Sequence, residues 1–320
     1  MKRLLSSLLI LASLISASAE TIVPIKYGDM NNWVTRHIKE SGIIGGKQKN
    51  VYAVGPRRVI EGSQAYVPQG GTPWASSNVM AKVAGVTKTS NAVYPEARPG
   101  KGQCAKLTTK LESVKALGVI NMDVLVAGSL FLGRMLEPIS STSDPYSKMD
   151  MGIPFTGTPS ALVYDYDLTI PDTDTRIQST GFSKKRTLQG HDNAEVIILL
   201  QRRWEDADGN IYAHRVGTGR EVLSKSTDGW QDAHHLAIRY GDISKKPGFS
   251  PKDGLIKKEK SYYARNSKGK MVPVTEVGWD PEGTAPTHMI VTFTAASGDP
   301  YIGTPGLTLK VDNVALAYNN

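Results

Sequence analysis

GIPFTGTPSALVYDYDL, residues 152–168, decides the fold: an entry punctuated by glycine and proline runs into a stretch of strict alternation. From Leu162 onward, Leu162, Tyr164, Tyr166 and Leu168 fall on one face, and Val163, Asp165 and Asp167 on the other. A period of two is that of a half-buried strand, and its apolar face needs a partner. The partner is expected at the far end of the chain, where Leu307, Leu309 and Val311 alternate before Asp312-Asn313 and Val314, Leu316 and Tyr318 resume the pattern.

Outward from this strand the chain repeats one rhythm. Val51 to Val54, Val59-Ile60, Val79 to Val86, Ala105 to Leu111, Leu117 to Val126 and Ser129 to Met135 read as short strands. Glu195 to Gln201 (EVIILLQ) is apolar enough for a central strand covered on both faces, and Asp208-Gly209 favours a tight hairpin after it. Ala233 to Tyr240 and His288 to Ala295 alternate again. Many short strands with turn residues between them predict an all-β chain, an antiparallel jelly-roll-like β-sandwich. A short mixed segment precedes it: in residues 27–46, Asp29 or Asn31 is placed to cap a short helix carrying Trp33, His37 and Ile38. Residues 20–74 are read as an N-terminal segment packed on the main domain, 75–320 as the sandwich, and 241–281, rich in Lys, Gly and Ser, as a long surface insertion within it.

Lys2-Arg3, the apolar run from Leu4 to Ile15 and Ala17-Ser18-Ala19 have the order of a signal peptide spanning residues 1–19. The expectation is an exported bacterial protein, periplasmic or at the cell surface, with no integral membrane segment after signal removal. The formal charge of +8 then falls to +6 with the loss of Lys2 and Arg3. The basic runs are short, so nucleic acid is not an expected partner and an ordinary solvated surface is. Cys104 is the single cysteine, so no internal disulfide can form, and it reads as a buried thiol on a strand.

Four stretches together are similar to the putative carbohydrate-metabolism domain (PCMD) family of secreted bacterial proteins: TPWASSNVMAKVAGVTKT (72–89), VAGSLFLGRMLEP (126–138), GIPFTGTPSALVYDY (152–166) and PTHMIVTFTAASGDPYIGTPGLTLKVDNVALAY (286–318). The resemblance covers most of the chain beyond residue 19. It implies a jelly-roll-like, carbohydrate-associated exported protein and carries over no catalytic residues.

A glycoside hydrolase needs two carboxyl groups across a bond, and Asp165 and Asp167 are the tempting pair. Their backbones lie about 6.6 Å apart, a spacing automatic for any i, i+2 pair on a strand. Metal chemistry finds no ligand motif. His234-His235 point to opposite strand faces, and the DADGN run at 206–210 has its glycine too early for a calcium loop, which leaves a hairpin turn. No cofactor is expected; a jelly roll can hold a structural calcium ion, but spacing places none. A glycan-binding site asks only for an aromatic platform and a few hydrogen-bonding groups. Trp33, Trp74 and Trp230 are candidate platforms, with Asn78, Arg134 and Glu137 as polar contacts. Three readings stand: glycan binding in polysaccharide utilisation without catalysis, a hydrolase with paired carboxylates, and a structural or adhesin-like envelope protein.

Overall fold

The computed structural model describes residues 20–66, 71–83, 85–116, 120–141, 143–144, 146–181 and 184–319. The signal-peptide reading of residues 1–19 and the start of the expected strand at Leu117 lie outside them. Among the described residues every extended element is a β-strand, with three single-turn 3₁₀ helices between them and no α-helix.

Two sheets make the sandwich. The smaller runs Ile120–Ala127, Gly102–Ala116, Thr308–Asn319, Ala161–Thr169, Gln231–Ala237, with Glu20–Pro24 added to Thr308–Asn319 and Val93–Arg98 to Gly102–Ala116. Ala161–Thr169 therefore lies antiparallel to Thr308–Asn319 as its alternation requires, with Leu162 opposite Leu316 and Leu168 opposite Leu309. The larger sheet has ten strands, built around Ala194–Glu205 between His288–Thr294 and Ile211–Leu223. Leu162, Tyr164, Leu168, Leu309 and Val311 from one sheet meet Val196, Ile198, Leu200, Val291 and Phe293 from the other in a single apolar core. Burying a core side chain of this size contributes roughly 1.5–3 kcal/mol, which replaces the disulfides the chain lacks. Cys104 is fully buried on Gly102–Ala116, and burial raises its thiol to about 11.

Three details differ from the sequence reading. Residues 33–39 form a strand, Trp33–Lys39, paired with Gln48–Val54, in place of the expected helix. Val34, Arg36 and Ile38 alternate inward, and a period of two defeats an N-cap signal that had no 3.6-residue stripe behind it. Val79 to Val86 bends at Gly85 (φ 79°) into the hairpin Val79–Val83 and Val86–Ser90. The segment 241–281 does not merely ride on the surface: Met271–Trp279 joins the large sheet parallel to Ile211–Leu223. Its Glu276 is buried, and the Arg215 guanidinium is clamped on it at 2.5 and 2.7 Å.

Candidate functional site

Trp33 and Trp74 are interior residues. Trp33 is 6% exposed and donates its indole N–H to the Met30 carbonyl at 2.7 Å; Trp74 is 1% exposed and donates to the Lys26 carbonyl at 2.9 Å. Neither presents a ring face to a ligand, because both indoles pack into the main apolar core. Trp230 is half-buried, with the Arg98 guanidinium over its ring at 3.8 Å. Asn78 spends its amide on the backbones of Tyr52, Ala92 and Val93. Glu137 accepts from Arg36 at 2.7 and 2.8 Å and from the backbone N–H groups of Tyr66 and Met80. Arg134 forms a separate, half-exposed pair with Asp150 at 2.7 Å. The polar candidates thus serve separate structural junctions and do not converge on one cleft.

The two aspartates also have work inside the fold. Asp165 is 5% exposed and does not face water as the alternation implied. Its oxygens accept from Arg98 Nη1 at 2.6 Å, Asn313 Nδ2 at 2.7 Å and the Ala233 N–H at 2.7 Å. Burial would raise its carboxyl, but these hydrogen bonds and the Arg98 charge outweigh burial and hold it below its ordinary value. Asp167 accepts from Thr227 at 2.9 Å and faces the Lys310 ammonium at 3.3 Å.

An exposed aromatic surface lies at the far end of the large sheet. Trp204 and Tyr212 sit directly opposite each other across the hairpin of Ala194–Glu205 and Ile211–Leu223, whose turn closes through Gly209 at φ 90°. Their rings stack at 5.9 Å with 25° between planes, and Trp204 is 39% exposed. Period-two alternation puts Arg202 and His214, the next cross-strand pair, on the same face. Arg202 donates to both oxygens of Asp280 at 2.7 and 2.8 Å, and His214 Nδ1 lies 2.9 Å from the same carboxylate. The Arg202 hydrogen bonds, with His214 after them, hold Asp280 below the usual carboxylate range against the opposing effect of burial. The result is an exposed indole stacked on a half-buried phenol, with Arg202 and His214 fixed in place beside it.

A concave feature lies on the outer face of the large sheet, away from the core. Because Ala194, Val196 and Ile198 point inward, Glu195 and Ile197 point outward, and with Thr292 and Thr294 they floor a groove of about 380 Å³. Residues of Val79–Val83 and Val86–Ser90 line it together with Tyr146, Tyr262 and Tyr301. Tyr146 and Tyr262 meet edge to face at 6.2 Å. Burial, aided by the charges of Asp299 and Glu195, pushes the Tyr146 hydroxyl up to about 12. Among the described residues no three His, Cys, Asp or Glu side chains converge as metal ligands.

Neither feature was named from sequence. Trp204 and Tyr212 were within reach, because once 206–210 is a hairpin turn, counting outward along both strands pairs them. The groove had no such signal, since its walls come from segments up to about two hundred residues apart and meet only in the fold.

The family model described as Putative carbohydrate metabolism domain (PCMD) matches residues 56–245. No curated protein matches the chain. Among solved structures, a crystal structure described as a putative glycoside hydrolase from Bacteroides thetaiotaomicron aligns at 19% identity with a TM-score of 0.46, covering 89% of this chain and 71% of that one.

Proposed function

The chain belongs to the putative carbohydrate metabolism domain family, and on that premise we propose that it is an exported glycan-binding protein whose sugar-docking surface is the Trp204–Tyr212 pair. The observation that carries this reading is the exposed, stacked aromatic pair bordered by Arg202, His214 and Asp280. A pyranose ring has an apolar C–H face that packs on an indole and a rim of hydroxyls that seek donors and acceptors. Arg202 and His214 supply donors, and their bonds to the buried Asp280 carboxylate spare the entropy of ordering them on binding. One platform with a few polar contacts corresponds to dissociation constants of roughly micromolar to millimolar. The composition of residues 1–19 supports export.

The test is affinity electrophoresis of the chain from Glu20 onward in gels containing plant, mucin and acidic polysaccharides. Trp204→Ala is expected to abolish retardation with only a small loss of thermal stability, because the indole is 39% exposed and its contacts are confined to Tyr212, His214 and Arg202 at the end of the sheet. Trp74→Ala is expected to lower stability instead, as loss of a buried indole costs about 3–5 kcal/mol. Undiminished retardation of Trp204→Ala in every gel that retards the parent would remove the platform. Release of reducing ends from a bound polysaccharide, lost on Asp165→Asn or Asp167→Asn in a folded protein, would replace binding by hydrolysis.

A further inference from the structure

We propose that the groove on the outer face of the large sheet is a second ligand site, which takes the acyl chain of an uncharged ester. Its volume of about 380 Å³ falls within the roughly 300–1,000 Å³ of small-molecule pockets. Apolar side chains dominate the lining. Val79, Val83, Val124 and Val126 line it together with Met122 and Met149. Aliphatic and thioether side chains, the latter flexible and polarizable, accommodate a chain of methylenes.

The charges around the groove are already balanced. Glu195 pairs with Arg220 at 2.6 Å, Glu112 with Lys110 at 2.7 Å, Asp299 with Lys260 at 2.5 Å and Lys88 with Glu40 at 3.1 Å. Asp144, which accepts from the Tyr263 phenol at 2.6 Å, and Lys148 are the remaining opposite charges on the lining. With no net charge to compensate, a charged head group gains nothing here and a neutral ester loses nothing. The glycan platform is about 30 Å away along Ala194–Glu205, nine residues of strand from Glu195 to Trp204, and on the opposite face. Failure of either proposal therefore leaves the other standing.

The experiment uses N-phenyl-1-naphthylamine, a neutral fluorescent probe, with the chain from Glu20 onward. Saturable binding at one site is expected, with displacement by monodecanoylglycerol below its aggregation concentration. Decanoate, the anion with the same chain, should displace it about tenfold less well. Val126→Trp and Ala81→Trp, which fill the groove from two different walls, should each abolish probe binding in a folded protein. Non-saturable probe binding, binding that survives both tryptophan variants, or decanoate competing as well as the ester would each overturn the proposal.

Discussion

Desolvation, followed by the Arg203 charge, lowers the His288 imidazole to about 4, so it is neutral at pH 7 while its Nδ1 lies 2.9 Å from the Thr287 hydroxyl. In the unfolded chain the same side chain takes its proton near 6.5. Between those two values the unfolded state binds more protons, so stability is fully present above about 6.5 and is lost as the pH falls toward about 4. His288→Asn should flatten this window. Urea midpoints at several pH values from 7 to 4 would show it, and an unchanged slope in the variant would mean that His288 does not titrate in this way.

At the scale of the element, the strand Ala161–Thr169 is held by irregularities as much as by its alternation. Its register slips against Thr308–Asn319 between Val163 and Asp165, and against Gln231–Ala237 between Tyr164 and Tyr166. Opposite these bulges, Asn313 and Ala233 both adopt φ 50°. Asp165 bonds to both of them, and Arg98 at the end of Val93–Arg98 ties Asp165 to Asp312 at 2.6 and 2.7 Å and to Asp232 at 2.5 Å. A buried aspartate in the middle of the strand is thus the price of two bulges, and Arg98 makes it tolerable. Removing the guanidinium strands two nearly inaccessible carboxylates, so Arg98→Met should destabilise by about 3–5 kcal/mol, measured by chemical denaturation. A loss under 1 kcal/mol would mean that water replaces the guanidinium without penalty. The Leu/Tyr face of this strand was legible from residues 162–168 because periodicity records which side chains avoid water. The fate of Asp165 was not, because nothing local marks a bulge or brings Arg98, 67 residues earlier, beside it.

On the scale of the whole molecule, one large sheet carries two different surfaces, an exposed aromatic pair at one end and an apolar groove on its outer face. They share no residue, and the strand between them is packed rigidly into the core. Their occupants should therefore bind additively: saturating monodecanoylglycerol is expected to leave glycan retardation unchanged, and a shift beyond about threefold would reveal coupling between the faces.

The sequence by itself determined the all-β sandwich, its central strand EVIILLQ, the pairing of residues 162–168 with the last strand and the family, because alternation and turn chemistry are local and survive in the linear text. It did not determine which tryptophans face water. Trp33, Trp74 and Trp204 look alike in sequence, and burial depends on what the rest of the chain places above each ring. Only the tertiary structure decided that Trp33 and Trp74 close the core, that Trp204 stays open, and that distant segments enclose the groove around Thr292.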